Sequence, residues 1–131
     1  MILDTNYLIK LFKGHRGAHE KARELHAQSE IQRVPAPVFT EIEYGAEYEL
    51  DENERRRIQN VSRMYSVTRL DEEIARRAGQ LHAQADKAED GSSGADAVDA
   101  MVAAVADTAG EKVVTDNITD FQQLGVGVES F

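Results

Sequence analysis

Apolar and polar positions come in blocks along this chain, and the blocks predict strands and helices in turn. Met1-Ile2-Leu3 is a short apolar run that meets Asp4-Thr5-Asn6 directly. It reads as a buried strand over residues 1–4 that ends in polar chemistry. Tyr7, Leu8, Leu11 and Phe12 then recur at helical spacing, with Thr5 or Asn6 as cap and Gly14 as stop. A polar helix follows over 18–30 with Ala22 and Leu25 inward, and 31–34 is a second short strand closed by Pro35 and Pro37. Val38, Ile42 and Ala46 form the buried stripe of a helix over about 37–50, with Phe39 beside it. Asp51 or Asn53 caps the next helix, whose apolar positions are Ile58, Val61 and Met64. Ser66-Val67-Thr68 is a weak third strand. Ile74, Ala78, Leu81 and Ala85 mark a helix over about 71–89, and Ala-Glu-Asp-Gly-Ser-Ser-Gly at 88–94 is a loop.

The segment 96–109 differs from the rest. It is small and apolar on nearly every side, which predicts a buried, closely packed helix. Asp96 is placed to cap it, and Asp99 lies within its first turns. A carboxylate there is costly unless it is paired or binds a metal. Gly110 ends the helix, and 112–115 is a fourth strand that again runs into polar residues, Asp116-Asn117. A short helical turn capped by Asp120 and a last strand around 126–128 complete the chain. Strands alternating with helices predict an α/β fold, a central parallel sheet of about five short strands flanked by helices.

Length and composition narrow the chemistry. A chain of 131 residues predicts one domain, 1–131. Without cysteine, disulfides, thiolate nucleophiles and cysteine-ligated zinc are excluded. No stretch reads as a secretion signal or a membrane span, so the expectation is a cytoplasmic protein with no membrane partner. The net charge of −9 repels nucleic acid. A nucleic-acid substrate would have to be held by local basic groups and metal ions. Lys10, Lys13, His15 and Arg16 gather at the end of the first helix, where they either complement the helix dipole or offer a handhold for phosphates. His19 and His26, seven residues apart, read as surface groups.

Sites in open α/β sheets form outside the carboxyl ends of strands. Two strand ends here meet polar residues, Asp4 and Thr115-Asp116-Asn117. If the first and fourth strands are neighbours, Asp4, Asp99 and Asp116 or Asn117 converge. Glu41 reaches the same point from the helix after the second strand, and Gly45 on its face leaves room there. Glu43 points elsewhere, although spacing alone does not separate the two acids. Carboxylates gathered so closely repel and hold protons unless a cation joins them. An all-oxygen set suits Mg2+ or Mn2+, which could generate hydroxide and stabilise the leaving oxygen in phosphodiester cleavage.

The pieces Met1-Ile2-Leu3-Asp4-Thr5-Asn6, Thr40-Glu41-Ile42-Glu43-Tyr44-Gly45, Asp99-Ala100-Met101-Val102-Ala103-Ala104 and Val113-Val114-Thr115-Asp116-Asn117, with Asp120-Phe121, together resemble the PIN domain, specifically the VapC-type toxin ribonucleases of toxin–antitoxin pairs. They stand in the family's order and span the chain. The resemblance implies a PIN-like three-layer fold and a Mg2+- or Mn2+-dependent endoribonuclease acting on RNA. It also implies a homodimer and a VapB-like antitoxin partner. It assigns metal roles to Asp4, Glu41 and Asp99, and so prefers Glu41 over Glu43. The family's fourth acid falls where this chain has Asn117, so either Asp116 or Asn117 completes the catalytic set. A haloacid-dehalogenase-type phosphatase also opens on a strand ending in Asp. It needs a second Asp two positions on, where Asn6 stands. A catalytically silent scaffold is the non-enzyme alternative, and retention of three acids argues against it.

Overall fold

The computed structural model describes residues 1–49 and 51–131; Leu50, the expected end of the third helix, lies outside the described residues. The elements in chain order are β1 (Ile2–Leu3), α1 (Thr5–Phe12), α2 (Arg16–Ala27), β2 (Arg33–Pro35), α3 (Ala36–Glu49), α4 (Glu52–Met64), β3 (Ser66–Thr68), α5 (Glu72–Ala88), α6 (Ala97–Ala109), β4 (Val113–Val114), α7 (Ile118–Gln123) and β5 (Val128–Glu129). The five strands pair in parallel in the order β3-β2-β1-β4-β5. This is the predicted α/β architecture, a parallel sheet flanked by helices.

The condition on which the site depended is met. β1 lies beside β4, with Ile2 opposite Val113 and Leu3 opposite Val114. Chain order reverses direction across that pair, so the crevice outside their carboxyl ends is the sheet's switch point. Ile2, Leu3, Val113 and Val114 are fully buried. Continuous apolar strands of this kind belong in the middle of a parallel sheet covered on both faces.

The α6 helix lies across β1, β2 and β4 and packs along α5. Its Ala100, Val102, Ala103, Ala104, Val105 and Ala106 are all buried. Small side chains let its backbone come close to the sheet, which carries its N-terminal turn to the crevice. Gly110 closes it at φ +66, the left-handed conformation that only glycine adopts without strain.

Several local expectations change. The α2 helix begins at Arg16, capped by His15, so Lys21 is the inward residue with Leu25, and Ala22 is only partly covered. Buried Lys21 stays charged by bridging Glu24 at 3.0 Å and Glu129 at 2.5 Å, which ties α2 to the last strand. Pro35 lies inside β2, not after it, and is paired with Thr68. Asp51, not Asn53, caps α4, and Met64 is 64% exposed although it follows the apolar spacing.

The packing of α6 sets a stability test. Ala103 is fully buried, so Ala103→Leu overfills the core and should cost about 1–3 kcal/mol. Ala109→Leu, at the exposed end of the same helix, should stay within about 0.5 kcal/mol. Urea midpoints that fall equally for both would show that α6 is not closely packed.

Candidate active site

Asp4 occupies the cap position of α1 with extended backbone, yet its side chain makes no capping bond. It turns into the sheet instead, where Thr115 Oγ1 donates to Asp4 Oδ2 at 2.8 Å. Asp4 is 4% exposed. Thr115 is fully buried, and its hydroxyl also accepts from the Asn117 backbone N–H at 2.9 Å. One hydroxyl thus fastens the ends of β1 and β4 together and sets the direction of the chain that follows.

Each of the other two acids is held by a neighbour. Thr5 Oγ1 donates to Glu41 Oε1 at 2.6 Å, which brings α3 to the β1 terminus. Asp96 Oδ1 accepts from the Asp99 backbone N–H at 2.8 Å, and Asp99 Oδ2 accepts from the Asp96 backbone N–H at 3.1 Å, a reciprocal capping box. Among the described residues, Glu41 Oε2 and Asp99 Oδ1 have no protein hydrogen-bond partner. Asp4, Thr5, Asn6, Ile9, Glu41, Asp99 and Asn117 line one open cleft of about 250 Å³, room for an ion and several waters.

Burial pushes the Asp4 carboxyl up to about 7, with Asp99 and Glu41 adding to the rise and the Thr115 hydroxyl opposing it. Burial likewise raises Asp99 to about 6, helped by Asp96, Asp120 and Glu41 against the Asp96 backbone N–H. A divalent cation beside these groups would favour their charged forms and oppose both rises. The donor set is hard, anionic and partly unengaged, and it fits a magnesium or manganese ion. The oxygens do not crowd as closely as those of Glu49, Asp51 and Glu54, which lie within 4.8 Å of one another where α3 meets α4. In that second group Glu49 is exposed, Asp51 and Glu54 are half-buried, both glutamates line the groove between α1, α3 and α4, and Asp51 Oδ1 accepts from the Asn53 backbone N–H at 2.9 Å to cap α4.

Asn117 lines the cleft, and Asp116 does not. Asp116 takes Asn6 Nδ2 on one oxygen and the Lys10 ammonium on the other. Asp120 does not cap α7: Asn117 holds the cap position, and Asp120 sits in the first turn against Gly94. Gly45 opens onto an adjoining groove with Ile9, Phe12, Lys13, Ile42 and Ile58, and not onto the space at Glu41. Thr5 and Asn6 were expected as caps; they line the cleft. The orienting roles of Thr5 and Thr115 escaped the sequence reading. Their only signal was a hydroxyl next to each strand-end acid.

The chain matches the PIN domain over residues 1–126. It belongs to the PIN domain family, and its resemblance to VapC-type members extends to their structures. It resembles a chain of DNA-bound VapBC from Salmonella typhimurium at 26% identity and TM-score 0.74, covering 98% of this chain and 96% of that one. It resembles a chain of a toxin–antitoxin complex from Klebsiella pneumoniae at 27% identity and TM-score 0.69, covering 92% and 88%. VapBC-1 from nontypeable Haemophilus influenzae shares the fold at TM-score 0.78 and 21% identity, covering 98% and 96%. No match is found among curated proteins.

The raised acids fix a pH dependence. Asp4 goes from 3.8 in the unfolded chain to about 7 in the folded one, so the fold binds its proton more tightly. That contribution is fully present below the unfolded value and is lost as pH rises through about 7. In metal-free buffer the wild type should lose thermal stability between pH 5 and pH 8 relative to Asp4→Asn. Parallel melting profiles for the two proteins would mean that Asp4 does not bind its proton more tightly in the folded state.

Proposed function

We propose that this protein is a metal-dependent endoribonuclease, the toxin of a type II toxin–antitoxin pair. The observation that carries the reading is the convergence of Asp4, Glu41 and Asp99 on one cleft at the β1/β4 switch point. Asp4, Glu41 and Asp99 would hold the ion, with the Asn117 amide as a neutral neighbour. Bound there, Mg2+ or Mn2+ would lower the pKa of a water and neutralise charge on the phosphodiester. The protein's part is positioning. Thr115 keeps Asp4 aimed into the cleft, Thr5 fixes Glu41, and the Asp96 box fixes Asp99. Asp4 must release its proton before an ion is bound, so loading strengthens as pH rises toward 7 and beyond.

The relatives from Klebsiella and Salmonella are solved as toxin–antitoxin and VapBC complexes, which supports an antitoxin partner. The surface supports it too. Ile9 belongs both to the acidic cleft and to the groove between α1, α3 and α4. Phe12 continues that groove to Leu11 and Met64. Leu8, on the same helix, is buried in the core and does not line the groove. An antitoxin helix would fill the groove while an Arg or Lys from its tail enters the acids, an arrangement that satisfies paired carboxylates without metal. The toxin itself is proposed to act as a homodimer in the cytoplasm; no helix among the described residues is long and apolar enough to cross a membrane.

RNA cleavage assayed with and without Mg2+ tests the activity. Residues that only orient metal ligands cost about 10–100-fold when removed, so Asp4→Asn and Asp99→Asn should lose more than that, and Thr115→Val should fall inside the range. Wild-type rates in either Asp variant would sink the assignment. Release of phosphate from monoesters alone would favour a phosphatase, and inertness of the partner-free wild type a scaffold. Antitoxin and metal should also compete: by linkage, affinity of the complex should fall across a magnesium series. An affinity independent of magnesium would place the antitoxin elsewhere.

A further inference from the structure

The cleft is lined by acids and neutral groups only, and the protein around it is strongly acidic. An ion between the acids would answer for the scissile phosphate, but the next phosphate along an RNA strand would still meet a repulsive surface. A cation is needed at the rim.

Lys10 stands there. It lies four residues after Asn6 on α1, so the two share a face about 6 Å apart along the axis. Asn6 lines the cleft, and both residues grip the same carboxylate, that of Asp116. On its other side the ammonium lies 5.8 Å from the centre of the Phe131 ring, which is itself set edge-on to Tyr7 at 5.2 Å and His15 at 5.9 Å. The Lys10 and Asp116 side chains are 41% and 36% exposed, so the charge is held in place yet open to a ligand. Among the described ion pairs, this is the one that also bonds to a cleft residue, Asn6.

We infer that Lys10 is a substrate-binding residue that holds an RNA phosphodiester next to the one cleaved, and that Asp116 is its counter-ion in the substrate-free protein and not a metal ligand. The inference rests on the ribonuclease reading. A lysine binds phosphate as a point charge and needs no fork geometry. Exchange of partners is cheap, because a half-exposed ion pair contributes little to stability. The Phe131 ring keeps the ammonium at the rim when Asp116 is given up. Asp116 has both oxygens engaged, which leaves Asn117 as the residue beside the acids.

The test uses an RNA that the wild type cleaves. Binding is measured on the Asp99→Asn background by fluorescence anisotropy across a KCl series, and turnover on the otherwise native chain. Lys10→Gln should raise KM about tenfold, the scale of one charge-assisted hydrogen bond, with kcat little changed. The slope of log affinity against log salt should shrink by about 0.7, one phosphate contact on a single strand. Lys10→Arg should restore most of the affinity. Asp116→Asn should tighten RNA binding, and that gain should vanish when Lys10→Gln is added. A purely structural ion pair would move none of these quantities beyond the urea midpoint. An unchanged salt slope in Lys10→Gln overturns the inference and leaves the ribonuclease reading intact. So does a loss of Mn2+ binding in Asp116→Asn, by calorimetry, that matches the loss in Asp99→Asn. A wild type that neither binds nor cleaves RNA overturns both.

Discussion

The hydrogen bond from Thr115 to Asp4 spans the seam of the sheet, and much of the molecule is arranged around its consequences. It joins the residues that directly follow β1 and β4, 111 positions apart in sequence, at a point where almost no water reaches. A carboxylate in such a place is expensive as an anion. One hydroxyl relieves only part of that cost, and the remainder appears as a carboxyl pushed up to about 7. The fold therefore carries an acid that holds its proton far above the ordinary carboxylate range, at the crevice a parallel sheet keeps open for ligands. A structural role would have been served better by an uncharged residue of the same shape, since replacing buried ionic groups by neutral ones is often neutral or stabilising.

The other elements bring further charge to the same place. α3 follows β2 directly, and the Thr5 hydroxyl draws its Glu41 toward Asp4. α6 lies across three strands because Ala103, Ala104 and their neighbours keep it thin, and its first turn delivers Asp99. Small residues in α6 and carboxylates in the crevice are two parts of one arrangement: the first permits the approach that makes the second costly. The energy stored in gathering the acids is what a divalent cation, or a partner's guanidinium, would release on binding.

Much of this was legible in the sequence for identifiable reasons. Ile2-Leu3 and Val113-Val114 are apolar on both faces and run abruptly into polar residues, so a buried parallel strand ending at a site was readable at each. The stripe of Ile74, Ala78, Leu81 and Ala85 and the small helix after Asp96 were equally plain, because tertiary packing agrees there with local periodicity. The misreadings lie where long-range pairing overrides local pattern. Lys21 is inward because Glu129, 108 residues away, neutralises it. Met64 keeps an apolar spacing but meets no core. Which of Asp116 and Asn117 lines the cleft could not be read from position, since it depends on where Lys10 and Asn6 stand. The orienting hydroxyls of Thr5 and Thr115 are invisible without neighbours in space.

The cleft and the groove beside it share Ile9, and that adjacency limits how any partner could control the site. A ligand that used only the acids would compete with ions present at high concentration in the cell and would gain little selectivity. A ligand that used only the groove would leave the acids free to take up metal. Joining the two makes the second contact intramolecular, so modest affinities multiply through effective concentration. The apolar groove then supplies residence, and the charged end supplies the switch. On the proposed ribonuclease reading, an RNA has no apolar helix to lay along Ile9, Phe12 and Ile58, and would approach from the polar rim where Asn6, Lys10 and Asn117 lie. Substrate and protein partner would thus read different borders of one crevice, and would meet only at the carboxylates.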